Sequence, residues 1–66
     1  MQIHLNGESR EVAEGLLLAA LLDEAGLAGR RVAIEVNGEI IPRGRHASHL
    51  LSKGDRIEIV HALGGG

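Results

Sequence analysis

The residues with the plainest capacity for chemistry are the last three, Gly64-Gly65-Gly66. A glycine run contributes little to a fold. Ordering each residue costs about 1–2 kcal/mol, glycine costs the most, and no side chain anchors it. What such an end offers is a free carboxylate on a slender stretch of backbone. An α-carboxyl titrates near pH ~3.5, so Gly66 ends in an anion at neutral pH. That anion is a poor electrophile, and its carbonyl carbon must be activated before a nucleophile attacks it. Without Cβ atoms, Gly65 and Gly66 accept positive φ and fit between close enzyme walls, while Gly64 serves as a hinge. The chain is therefore expected to divide into a domain over residues 1–63 and a flexible glycine tail over residues 64–66. The tail would thread into another protein, with the domain as its handle.

The remaining polar residues do not assemble a second site. His46 and His49 stand at i, i+3, which places two imidazoles on one helical face without the third ligand that zinc needs. His4 and His61 are expected on neighbouring strands, as surface side chains. Glu35, Glu39 and Asp55 have no partner at catalytic spacing. Arg30-Arg31, Arg43-Gly44-Arg45 and Asp23-Glu24 read as solvated charges. There is no Ser/His/Asp set, phosphate-binding loop or metal cluster. The chain is therefore not read as an enzyme, and no catalytic residues, metal or bound cofactor of its own are expected.

Composition narrows the partners. Seven Lys and Arg stand against nine Asp and Glu, a net charge of −2, and there is no Phe, Tyr or Trp. A basic stripe and stacking platforms are both missing, which argues against nucleic acid. No apolar run approaches the ~20 residues of a membrane span, and Met1-Gln2-Ile3-His4 lacks the blocks of a signal peptide. A chain of 66 residues without cysteine makes one small domain with no disulfide to brace it. A soluble cytoplasmic protein is the expectation.

Two hairpins and one helix must position the tail. Met1 to Leu5 alternates as a strand, and Asn6-Gly7 is a type I′ hairpin signal, since both central positions need φ > 0. Glu8 to Val12 returns as a polar edge. Within Gly15–Gly26, Leu18, Leu21, Leu22 and Ala25 recur on one helical face. Gly26 fits the left-handed position past the helix end, with Leu27 behind it for the Schellman contact. The helix start has no Ser, Thr, Asp or Asn, so Gly15 is the remaining cap, a frayed first turn is expected, and Leu16 and Leu17 are partly exposed. Arg31 to Asn37 alternates again, Asn37-Gly38 repeats the hairpin signal, and Glu39-Ile40-Ile41 returns until Pro42 stops the ladder. Residues 43–52 read as a loop with one helical turn around Arg45 to Leu50, with Leu50 and Leu51 plugging the core. After the turn Lys53-Gly54-Asp55, Arg56 to Leu63 forms the last strand, with Ile57 and Ile59 inward and Glu58 and Val60 outward.

These elements make an α+β domain. With the first and last strands paired in parallel at the centre and the helix across the sheet, the layout is the β-grasp. Val60, Ala62 and Leu63, outward or close to the tail, are the apolar candidates for a partner interface.

With these residues in place the chain resembles the ubiquitin-like sulfur carriers of prokaryotes, most closely those of thiamin biosynthesis. Three stretches carry the resemblance: Val32-Ala33-Ile34-Glu35-Val36-Asn37-Gly38-Glu39-Ile40-Ile41-Pro42-Arg43, Lys53-Gly54-Asp55-Arg56-Ile57-Glu58-Ile59-Val60, and the glycine end. It covers essentially the whole chain. It departs at Leu17, near which the family pattern leads one to expect a Thr-like cap. The resemblance implies that an adenylyltransferase of the ubiquitin-activating type (ThiF-like) activates Gly66 with MgATP. The acyl-adenylate then receives sulfur from a persulfide, supplied by a donor such as a cysteine desulfurase system. The resulting thiocarboxylate passes its sulfur to thiazole synthase. The nearest alternative, the small subunit of molybdopterin synthase, uses the same tail chemistry but tends to be longer and richer in aromatics. A protein-conjugating modifier and an inert β-grasp interaction module are the other readings.

Overall fold

A computed structural model describes residues 1–61. β1 (Gln2–Leu5), β2 (Glu8–Glu11), α1 (Leu18–Glu24), β3 (Val32–Val36), β4 (Glu39–Ile40) and β5 (Arg56–His61) follow one another along the chain, with a 3-10 turn at Arg43–Arg45. The five strands form one sheet in the order β2-β1-β5-β3-β4. β1 and β5 run parallel at its centre, the two hairpins run antiparallel on either side, and α1 covers one face. This is the expected mixed sheet of a β-grasp.

Both hairpins turn where two residues with φ > 0 are placed in succession. Asn6 and Gly7 have φ of 50° and 84°, and Asn37 and Gly38 have 54° and 84°. Asparagine tolerates this region because its short amide bonds locally. Here the amides also reach across the sheet. The Ile59 amide donates to Asn6 Oδ1 at 2.7 Å. The Arg56 amide donates to Asn37 Oδ1, and Asn37 Nδ2 donates to Asp55 Oδ1, both at 2.9 Å. Each turn thus clamps β5 from its own side. Replacing Asn6 by glycine keeps the turn but removes the acceptor for Ile59, and is expected to cost about 1 kcal/mol. Replacing it by alanine adds the strain of positive φ and is expected to cost at least ~1 kcal/mol more. Urea unfolding of the two variants checks the order.

The core lies between α1 and the sheet. Ile3, Leu18, Leu21, Ile34 and Ile57 are fully buried, joined by Val12, Leu22, Val36, Ile41, Leu51 and Ile59. Leu5, Leu16, Leu27 and Val32 pack partly against them. At the helix end, the amides of Gly26 and Leu27 donate to Asp23 and Leu22 at 3.0 and 2.8 Å. Those are the two bonds of a Schellman motif, and Gly26 takes φ 76°.

The helix start differs from expectation. Leu17, not Gly15, is the N-cap, and no side chain caps it. The free amides of Leu18 and Ala19 donate instead to the carbonyls of His49 and His46, at 2.8 and 2.9 Å. Leu17 also bridges Leu50, and the Leu51 amide donates to Leu16 at 2.9 Å. A distant stretch of backbone does the work of a capping side chain, so the first turn is held rather than frayed.

The same pairing corrects the reading of Leu50. Neighbouring residues on an extended bridge point to opposite sides: Leu51 is buried and Leu50 is 59% exposed. The helical turn starts earlier than expected, at Arg43, directly after Pro42, whose φ of −59° already suits it. β1 and β2 are each about a residue shorter than read, although the Val12 amide still donates to the Met1 carbonyl.

Candidate functional site

The glycine end follows β5 in the chain, so the candidate site begins with what fixes that strand. Ile57 and Ile59 are buried beneath it. β3 pairs with it from Val36↔Ile57 to Val32↔His61. β1 flanks the start of the strand, with Leu5 against Ile57. The Asn6 and Asn37 clamps complete the frame. The central strand of the sheet is held from both sides as far as Ile59, and by β3 alone at Val60 and His61. Gly64, Gly65 and Gly66, and with them Ala62 and Leu63, lie outside the described residues.

Of the three apolar interface candidates, Val60 is described. It stands on the face away from α1, 60% exposed, opposite Ala33 of β3. The structure adds a residue that sequence reading passed over. Ile40 of β4 is 67% exposed on the same face, as the register partner of Glu35. The signal was present in the adjacent pair Ile40-Ile41. Two aliphatics in succession on a strand cannot both face the core, and Ile41 is the buried one.

The histidines are set apart by the topology. His46 and His49 give their carbonyls to the helix start. The His46 ring bonds to the Ile41 carbonyl at 3.0 Å; a carbonyl only accepts, so Nε2 carries the proton. His4 and His61 lie on neighbouring strands, β1 and β5, as expected, but at different levels of the sheet. Parallel register places His4 beside Arg56, while His61 pairs with Val32, on the order of 16 Å further along β5 at ~3.3 Å per residue. Among the described residues, no three His, Cys, Asp or Glu side chains converge. A cavity of about 270 Å³ on the helix side has Leu22, Leu27 and Val32 in its walls and Arg30, Arg43 and His46 around them. It holds no nucleophile paired with a base.

The model of the ThiS family matches residues 3–66. The chain belongs to the ThiS family. Sulfur carrier protein ThiS of Escherichia coli strain K12 is 30% identical over 66 residues, the full length of both chains. The crystal structure of thiamine biosynthesis protein ThiS from Geobacter metallireducens superposes with a TM-score of 0.87 at 32% identity, again over all of both chains. The match to the ThiS fold confirms the β-grasp. Proteins named thiazole synthase from Magnetococcus marinus and Paramagnetospirillum magneticum are 42% and 41% identical to it over 66 residues. The chain spans about a fifth of the length of these two relatives. No helix among the described residues is long and apolar enough to cross a membrane.

Proposed function

We propose that this ThiS-family chain carries sulfur on the carboxyl carbon of Gly66, as a co-substrate that passes between enzymes. The observation that carries the proposal is the pairing of a glycine end with a strand clamped from both sides. The domain presents a fixed root, and the glycines supply the reach and slenderness to enter a narrow active site.

The chemistry follows from the carboxylate. One oxygen attacks the α-phosphorus of ATP, and magnesium pyrophosphate leaves. The product is an acyl-adenylate on Gly66, formed by a ThiF-like adenylyltransferase that supplies the nucleotide and metal sites. The outer sulfur of a persulfide, from a donor such as a cysteine desulfurase system, attacks the carbonyl carbon and expels AMP. A second thiol then cleaves the S–S bond by thiol–disulfide exchange, which leaves a thiocarboxylate on Gly66 and a disulfide on the donor side. The thiocarboxylate sulfur is the nucleophile offered to thiazole synthase. The names of the longer relatives support that acceptor. All steps take place in the cytoplasm, and the carrier itself binds no cofactor.

Reconstitution tests the scheme. The purified chain is incubated with MgATP, a ThiF-like adenylyltransferase and a persulfide donor, and its intact mass is measured. An oxygen-to-sulfur gain on the C-terminal peptide is expected. A branched peptide joining Gly66 to a lysine would indicate a modifier instead, and an unaltered end under every condition would indicate an inert module.

The partner surface is taken to include Val60, Ala62 and Leu63. Covering a valine fully stabilises by about 1.5–3 kcal/mol, so Val60→Asp is expected to weaken binding to the adenylyltransferase by about 10–100-fold. Titration calorimetry checks this, and unchanged affinity would remove Val60 from the interface.

A further inference from the structure

The outer face of the sheet carries a feature that the fold does not need. β3 and β5 pair so that Glu35 lies directly opposite Glu58. Both point away from α1, because their neighbours Ile34, Val36, Ile57 and Ile59 are buried on the other side. Like charges directly opposite on adjacent strands are destabilising. Among the described residues the ion pairs are those of the Met1 amine with Glu11 and of Arg10 with Glu24, and neither reaches this pair. Arg56 lies on the same face, two residues from Glu58 along β5, and His4 lies opposite Arg56. Neither forms an ion pair with Glu35 or Glu58.

Exposed aliphatics surround the two carboxylates. Ile40, Glu35 and Glu58 form one row across β4, β3 and β5. Ala33 and Val60 form part of the next row, one step closer to the end of β5. Ile40 and Val60 are 67% and 60% exposed. An unneutralised carboxylate pair bordered by aliphatic side chains is complementary to a guanidinium set in an apolar surface. Arginine can offer its planar fork to both carboxylates, at a strength neutral groups do not reach.

We propose that Glu35 and Glu58 form a receptor for an arginine on thiazole synthase, with Ile40 and Val60 as the aliphatic contacts around it. The occupant follows from charge complementarity and from the position of the pair beside the strand that leads to the tail. Two relatives that carry a counterpart of this whole chain within a longer polypeptide are themselves named thiazole synthase. The inference rests on the carrier reading and deepens it by naming what grips the domain.

The test uses the full chain and purified thiazole synthase. Glu35→Gln and Glu58→Gln keep the side-chain shape and remove the charge. Each is expected to raise the thermal midpoint by about 1–5 °C and to weaken binding to thiazole synthase by about 10–100-fold. Glu39→Gln is the control: it also removes an exposed carboxylate, but its register partner is Val36, and it is expected to change neither readout. Unaltered affinity in the Glu35 and Glu58 variants would overturn the receptor, as would a lowered or unaltered midpoint. An equal loss of affinity in the Glu39 variant would also overturn it, by reducing the effect to net charge. Failure of the unaltered chain to bind thiazole synthase would be a different result and would overturn the carrier reading itself.

Discussion

Removal of Gly65 and Gly66 is expected to reduce ATP–pyrophosphate exchange with a ThiF-like adenylyltransferase to background and to leave the fold unchanged. The truncated chain ends in Gly64, and its carboxylate is withdrawn by two residues, or about 7 Å of extended backbone. An ångström of misplacement already costs an enzyme about 10²-fold, so a displacement of this size leaves no measurable turnover. Gly66→Ala is the finer probe. It keeps the length but adds a Cβ and restricts φ, and exchange is expected to fall by about 10²-fold. Neither change removes one of the buried side chains that the described residues contribute to the core. The thermal midpoint should therefore remain within about 1 °C, as for substitutions away from packed features. Full exchange activity in the truncated chain would place the reacting carbonyl elsewhere. Loss of exchange together with a lowered midpoint would mean that the glycines support the domain.

Ile57→Ala is expected to have the largest effect on stability. Ile57 is fully buried at the centre of the sheet, between Leu5 of β1 and Val36 of β3. Truncating such a side chain costs about 2–5 kcal/mol, from lost transfer energy and the cavity left behind. At ~0.05–0.15 kcal/mol per residue, a domain of this size has about 3–10 kcal/mol in total. The variant is thus brought to the edge of unfolding at room temperature. Val60→Ala on the same strand is the comparison: with its side chain 60% exposed, it is expected to cost less than about 0.5 kcal/mol. Urea unfolding of the two variants measures the difference. A cost below ~1 kcal/mol for Ile57→Ala would mean that the core does not hold β5 in place. Since β5 is the root of the tail, Ile57→Ala should also lower exchange activity, and only in proportion to the fraction unfolded.

Much of this was legible residue by residue. Asn-Gly twice, each pair between alternating strands, fixes two type I′ hairpins because few other dipeptides accept positive φ at both positions. The spacing of Leu18, Leu21 and Leu22 fixes the buried face of α1, and Gly26-Leu27 fixes its end. The orientation of Ile57, Glu58, Ile59 and Val60 follows from the period of a strand. The glycine end needed no structure to be noticed, and the family match over residues 3–66 agrees with the function read from it.

What resisted reading depends on contacts between distant segments. The cap of α1 is made by carbonyls about 30 positions later in the chain, and backbone carbonyls leave no mark on residue type. Leu50 and Leu51 are the same residue to any pattern, and only the bridge to Leu17 decides which is buried. The separation of His4 from His61 was set by register between two parallel strands. The asparagine side chains were readable as turn residues but not as clamps on β5.

The sequence alone therefore determined the two hairpins, the buried face of α1 and the strand orientations, since these depend on the φ range of single residues and on short periodicities, and it singled out the glycine end as the candidate for chemistry. The tertiary structure alone decided which helix amides are satisfied by a distant loop, and that Glu35 faces Glu58 with Ile40 and Val60 around them. Those are properties of pairs brought together by folding, and no single residue carries them.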